Sequence, residues 1–283
     1  MNILVIGPGR IGSAFAFHLS LAGHDVSVLA RGARLETLRR VGAIVATDGR
    51  RASIRVLETF DPATPYDLVL VTVLARQVDA LLPSLAASTA KSVLFMFNTF
   101  DTTRRWREAV GAERFAFGFP NMIAFLEDDK LRNVVNGPGM VTTLTSPRWA
   151  AVFKQAGLPT ELESDIDGWL RSHVAFVVPL MVAAQWTWQR RESLSWAEAR
   201  RLARALREGM ALVRSLGHAI QPRYVAFLAG LPAPMLTGLL WAFGRTAAIR
   251  DMGAFGPAEV RSLIDSMAAA GPQLTSAIRS IRP

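Results

Sequence analysis

From Met1 to about Ser164, short apolar runs rich in β-branched residues alternate with helix-length stretches. NILVIG precedes a helix from about Arg10 to Ala22, DVSVLA one from about Arg34, and DLVLVTV one from about Gln77, after which comes SVLFMF. That alternation predicts βαβ units around a parallel sheet. The strands are apolar on both faces, as helix-covered strands must be. Beyond Phe115, FAFGFPNMIAF, NVVNGPGMVTTL and LPTELE predict short strands, with a helix from about Pro147 to Ala156 between the last two. From Asp165 strand signals vanish. Long helices are predicted over roughly 165–190, 195–216 and 257–282, the last broken near Gly271-Pro272. Ser195, with Glu198 three residues on, is placed to cap the second of them. The predicted organisation is an α/β domain over 1–164 followed by an all-α domain over 165–283.

Composition narrows the function classes. At 283 residues, 51% hydrophobic and 19% charged, the chain can bury two cores. It has no cysteine, which excludes disulfides, thiolate nucleophiles and sulfur-ligated metals together. His18, His24, His173 and His218 share no metal-ligand spacing, and no Ser-His-Asp arrangement or nucleophile elbow occurs, so no metal is expected. MNILVIG runs into the strand pattern without a basic segment or cleavage site, so a cytoplasmic location is expected. The apolar run Val174 to Ala184 is shorter than the ~18 residues of a membrane span and contains Pro179; a buried helix is expected, with no membrane partner. The net charge of +9 is almost all arginine, the only lysines being Lys91, Lys130 and Lys154. The basic clusters RRVGAIVATDGRR and RRWR come without a helix-turn-helix, zinc-finger or RNA-recognition signature, so nucleic acid is not an expected partner.

VIGPGRIGSAF sets Gly7, Gly9 and Gly12 in G-x-G-x-x-G spacing between a strand and a helix. The first glycine permits a tight turn, the second lets backbone approach a pyrophosphate, and the third lets helix and strand pack closely. The helix start adds N–H groups and partial positive charge for an anion. Gly7, Gly9, Arg10, Ile11 and Gly12 are therefore candidate dinucleotide-binding residues; the alternative is a glycine-rich turn that holds no ligand. At the end of the second strand, where an NAD-binding unit carries a carboxylate for the ribose, stands Arg31, with Arg34 close behind. Guanidinium groups pair with a 2′-phosphate, which favours NADP(H) over NAD. The alternative is a pair of solvated surface arginines.

With that loop, LARGAR, VTVLARQV, FMFNTFD and the second half from DIDGWLRSH, the chain resembles the ketopantoate reductase family along most of its length. The resemblance implies an N-terminal Rossmann-type domain, an all-α C-terminal domain, NADPH as hydride donor and a substrate cleft between the two. Gly7, Gly9, Gly12 and Arg31 match the family, Gln77 matches a family glutamine, and Asn98 matches the asparagine near the nicotinamide. Elsewhere the chain departs. Leu74 stands where the family has a cofactor-contacting lysine, and Thr99 replaces a glycine. Aligned on Trp169, Arg171 falls at the catalytic lysine and Ala175 at the asparagine one turn on; a shift by one gives Leu170 and Val174. The family's serine-methionine pair for the substrate carboxylate becomes Pro234-Met235, and an acidic residue after a threonine becomes Ala247.

Hydride transfer to a carbonyl leaves an alkoxide that needs a proton, and a positioned general acid contributes ~10²–10⁴ in rate. Arg171 can stabilise negative charge but is a poor proton donor. His173, of a type with a reference pKa of about 6.5, is the better donor. Two residues apart, about 200° around a helix, they face different ways. Two readings remain open. One is an NADP(H)-dependent oxidoreductase acting on a small molecule other than ketopantoate, larger and more apolar, with Asn98 positioning and Arg171 or His173 supporting the oxyanion. The other is a redox-inactive homologue with a vestigial dinucleotide site, serving as a cyclase, isomerase or ligand-binding protein for an apolar compound. The apolar helices make a homodimer an expectation in either case.

Overall fold

The structure is a computed structural model, and it describes residues 1–135, 137, 139–246, 249 and 257–283. Ala247, and Asn136 and Pro138 within NVVNGPGMVTTL, lie outside the described residues. The chain divides into two compact units, Met1–Phe97 with Thr103–Ile166, and Asn98–Thr102 with Asp167–Pro283.

The first unit is built on an eight-stranded sheet. Strands β1 (Asn2–Ile6), β2 (Asp25–Leu29), β5 (Arg55–Leu57), β6 (Leu68–Val71), β7 (Val93–Met96), β8 (Phe115–Phe119), β11 (Thr142–Leu144) and β12 (Thr160–Leu162) lie in the order β12-β11-β8-β7-β6-β1-β2-β5. Every pair is parallel except β11 with β8. Two antiparallel hairpins stand apart, β3 (Ala43–Val45) with β4 (Arg51–Ser53) and β9 (Ile123–Glu127) with β10 (Lys130–Val134). FAFGFPNMIAF thus forms two strands in different sheets. They part at Pro120, which has no N–H to continue a ladder.

Helices α1 (Arg10–Leu21), α2 (Gly32–Val41), α3 (Ala75–Val78), α4 (Leu82–Ala87), α5 (Arg104–Val110) and α6 (Pro147–Gln155) cover the sheet. Phe15 and Phe17 of α1 and Trp149 and Phe153 of α6 are fully buried, and the Phe15 and Phe153 rings lie 5.1 Å apart. Trp106 of α5 packs edge-on to Phe97, also at 5.1 Å. β1 lies between β2 and β6, where the strand order reverses. In open α/β sheets a ligand crevice opens at the carboxyl ends of the strands at such a point.

The second unit is helical: α7 (Ile166–Arg190), α8 (Trp196–Ser215), α9 (Arg223–Gly230), α10 (Ala233–Phe243), α11 (Pro257–Ala270) and α12 (Ser276–Ser280), with a 3₁₀ turn over Pro272–Leu274. Val174, Val178 and Val182 of α7 and Leu202, Leu206 and Met210 of α8 recur at one-turn spacing and meet in the core. Helix α7 is long and apolar enough to cross a bilayer, yet 67% of its most apolar window is buried, which fits a core helix.

Between α7 and α8 the chain is held by a capping box. Ser195 Oγ accepts from the Glu198 N–H at 3.3 Å, and Glu198 accepts from the Ser195 N–H at 2.9 Å. Arg190 at the end of α7 also donates to Glu198 and, with the serine, holds its carboxyl down at about 2. A carboxyl depressed in the folded state stabilises it above the ordinary carboxylate pKa and loses that effect as pH falls toward the folded value. Urea unfolding should therefore show Ser195→Ala costing about 1 kcal/mol. The stability gap between the wild type and Glu198→Gln should be full above pH 4.5 and close as pH falls toward 2.

Candidate functional site

The turn from β1 into α1 carries the glycine triplet. Gly7 has φ +89°, a left-handed conformation that side chains rarely adopt, and its N–H donates to the Leu29 carbonyl at 3.2 Å. At Gly12 a Cβ would stand 2.3 Å from the Gly7 carbonyl oxygen and 2.5 Å from Thr72 Oγ1, so only hydrogen fits. Thr72, just past β6, donates to the carbonyls of Ile6 and Gly7 at 3.0 and 2.9 Å and ties the two strand ends together. Gly9, the N-cap of α1, differs from both. Its φ is −72°, and a Cβ placed on it would meet nothing within 4 Å. The space above it is open at the start of a twelve-residue helix, whose first-turn amides have no partner within the helix. Arg10 and Ile11 follow in that first turn, both half-buried.

The two arginines after β2 have different surroundings. Arg31, the N-cap of α2, is exposed and has no ion pair or hydrogen bond among the described residues. Arg34 is 17% exposed and fully engaged. It donates from Nε to the Pro8 carbonyl at 3.1 Å, from Nη2 to Ser13 Oγ at 3.0 Å, and from Nη1 to Asp129 on the β9–β10 turn at 3.2 Å. Burial pushes its pKa down despite Asp129. Arg34 thus braces the glycine loop from behind. Gln77, exposed in α3, accepts the Leu74 N–H at 3.1 Å and caps that helix.

Asn98, Arg171 and His173 all lie in the helical unit. Asn98 Nδ2 donates to Glu259 Oε1 at 3.2 Å, while its Oδ1 is buried without a hydrogen-bond partner. Nothing in the sequence singles out Glu259. Three residues into α11, it looks like an ordinary partner for a helix dipole, and only the fold carries it across 161 positions to Asn98. Arg171 is 9% exposed and bonded to the Phe100 carbonyl and to His218. His173, half-buried by surface area, stacks on Trp169 with ring centroids 5.2 Å apart and planes 6° from parallel. Desolvation pushes its pKa down to about 4. At neutral pH that leaves the ring uncharged. Pro234 and Met235 open α10, both exposed.

Residues 3–143 match the family described as Ketopantoate reductase PanE/ApbA. Over 102 residues the chain is 37% identical to the 2-dehydropantoate 2-reductase of Vibrio cholerae serotype O1, a stretch covering 35% of this chain and 32% of that protein. The match thus spans about a third of that relative's length. A candidate ketopantoate reductase from Ralstonia solanacearum MolK2 superposes with TM-score 0.75 at 20% identity, covering 99% of this chain and 95% of that one. D-mandelate dehydrogenase, in a ternary complex with NADH and anilino(oxo)acetate, also gives 0.75, at 13% identity over 100% and 98%. On the strength of residues 3–143 the chain belongs to the ketopantoate reductase family, and the helical unit is matched in fold alone.

The three glycines give a test that separates fold from site. Gly12→Ala should destabilise the protein by about 1–3 kcal/mol in chemical denaturation, because backbone must move to admit the methyl. Gly9→Ala has room for the methyl and should cost about 1 kcal/mol or less. Equal losses for the two would show that the open face above Gly9 is an illusion.

Proposed function

We propose that the protein is an NADP(H)-dependent oxidoreductase that acts on a carbonyl compound other than ketopantoate, larger and more apolar. The observation that supports this best is the open loop at Gly9 beside an arginine, Arg31, left without a protein partner among the described residues. In this reading the backbone of Gly7, Gly9, Arg10, Ile11 and Gly12 takes the pyrophosphate. Arg31 takes the 2′-phosphate, and Arg34 keeps the loop in place by its bond to the Pro8 carbonyl. The nicotinamide, when bound, supplies hydride. Asn98 offers its buried, unpartnered Oδ1 to a hydrogen-bond donor of cofactor or substrate.

Substrate preference follows from charge. Glu259 next to Asn98 repels an anionic group, and Pro234 and Met235 offer no side-chain donor for a carboxylate. The site therefore favours an uncharged, apolar carbonyl compound over a 2-oxo acid. The homodimer expected from the sequence remains part of this proposal, supported by the exposed Tyr224, Phe227, Met235 and Leu239 of the helical unit.

One observation favours the second reading, a non-redox cyclase, isomerase or binding protein. Arg171 is bonded to neutral partners and His173 is uncharged, so neither the expected oxyanion support nor the expected proton donor is poised for a reduction. Fixed orientation of a reactive molecule needs neither.

Fluorescence titration decides between them. NADPH should bind more tightly than NADH, and Arg31→Ala should weaken NADPH by about tenfold or more, as expected for a lost charge-assisted bond, with little change for NADH. Equal losses for both nucleotides would remove the NADP(H) preference. No binding of either at millimolar concentration would leave the non-redox reading.

A further inference from the structure

A guanidinium taken out of water needs its donors met, and a carboxylate is the usual partner. Arg171 on α7 is nine-tenths buried, yet its partners among the described residues are all neutral. Nε donates to the carbonyl of Phe100 at 3.2 Å, Nη1 reaches His218 Nε2 at 2.7 Å, and Cζ lies 5.7 Å from the centre of the Phe100 ring. Arginine has donors only. His218 Nε2 must therefore be the accepting nitrogen, and the ring is the neutral tautomer with its proton on Nδ1.

The approach of His218 is set by how α8 ends. Gly217 takes φ +85°; its N–H donates to the Arg214 carbonyl at 3.0 Å, and the His218 N–H donates to Val213 at 3.3 Å. These are the two bonds of a Schellman stop, which turns the chain sharply at the glycine. The loop is then pinned to α7 a second time, by the Gln221 N–H donating to Ser172 Oγ at 3.1 Å.

At the other end of Arg171 is the segment Asn98–Thr102, five residues from the middle of the α/β half that cluster with the helices. Phe100 is 1% exposed, in the same core as Val174 and Val178. Thr99 Oγ1 accepts the Asp101 N–H at 3.1 Å and tightens the turn. The segment is thus gripped twice, at the Asn98 side chain by Glu259 and at the Phe100 carbonyl by Arg171.

We propose that Arg171 and His218 are positioning residues for Asn98: the histidine orients the guanidinium, and the guanidinium fixes the Phe100 carbonyl and with it the backbone that aims the Asn98 side chain. Arg171 then acts through another residue, away from any oxyanion. His218 matters as a neutral acceptor, so any side chain that accepts at the same place can serve. The consequence for binding rests on Asn98 facing a ligand, as in the function proposed above. The geometric claim does not.

The test is hydrogen exchange over residues 98–102 together with NADPH titration, both on the full chain. Arg171→Met and His218→Leu are expected to speed exchange in that segment by about tenfold and to weaken NADPH binding by a similar factor, leaving exchange in α1 unchanged. His218→Gln, whose amide oxygen can accept from Arg171, is expected to recover both to within about twofold. A merely structural role would not distinguish glutamine from leucine at an edge position. Unchanged exchange in Arg171→Met and His218→Leu overturns the proposal, as does a His218→Gln protein no better than His218→Leu. If Arg171→Met does not fold, the two His218 variants, at a half-exposed site beyond the helix end, carry the comparison. If wild-type protein binds no NADPH, the proposed cofactor falls, while the exchange contrast still decides the positioning claim.

Discussion

The absence of a side chain at Gly12 sets the path of the first helix and, through it, the shape of the nucleotide-binding half. A methyl there would stand 2.3 Å from the Gly7 carbonyl, so α1 can leave β1 at this close approach only as glycine. The strand ends are fixed around that contact. Thr72 joins the end of β6 to the Ile6 and Gly7 carbonyls, and the Gly7 N–H joins the turn to the end of β2. Arg34 then closes the loop from the far side through Pro8, Ser13 and Asp129. What these constraints leave unfilled is the face of Gly9, at the point where the strand order reverses. An open, positively polarised helix start in an otherwise close-packed turn is what an anionic ligand requires.

The preference for arginine over lysine shows in how these cations are used. A guanidinium has five donors in a flat fork and can hold several carbonyls at once, whereas an ammonium is a compact point charge. Arg114 takes the Val110 and Ala86 carbonyls at 2.9 and 3.0 Å and also reaches that of Ser88, stitching the end of α4 to the end of α5. Arg34 and Arg171 do the same for the glycine loop and for the segment that carries Asn98. Where a lysine would be a mobile, titratable charge, each of these arginines is a brace. Arg171 is spent in the same way, on the Phe100 carbonyl and on His218.

Sequence makes the local features legible and leaves the distant ones hidden, for a physical reason. The glycine triplet, the capping box at Ser195 and the apolar strands are each encoded within a few residues, where spacing alone fixes geometry. FAFGFPNMIAF hides its break because its apolar content runs through Pro120 without a gap, although the proline ends the ladder. The short β3, β4 and β5 have too few residues for an alternation to show. The site side chains are the hardest. Arg34 meets Asp129 across 95 positions, Arg171 meets His218 across 47, and Asn98 meets Glu259 across 161. No periodicity reports such pairs, and each converts a residue type into a role. Arg34 has the sequence position of a phosphate ligand, and it meets a carboxylate, the Pro8 carbonyl of the loop and the Ser13 hydroxyl of α1.

That difference between Arg31 and Arg34 bears on whether the dinucleotide site is still in use. Arg34, buried behind the loop, is already engaged by the protein itself, through the Pro8 carbonyl, Ser13 and Asp129. Arg31 makes no such contribution to the described structure, and its fold-level duty as N-cap is one that serine or aspartate would perform better. Of the two arginines, Arg31 is the one with donors open to a ligand. The helical unit points the other way, since Arg171 is engaged and His173, the candidate proton donor, is uncharged. The two observations are compatible if the proton comes from water or from the substrate itself. A reductase of that kind would still need the cofactor loop, and Asn98 held in place, more than it needs a charged acid.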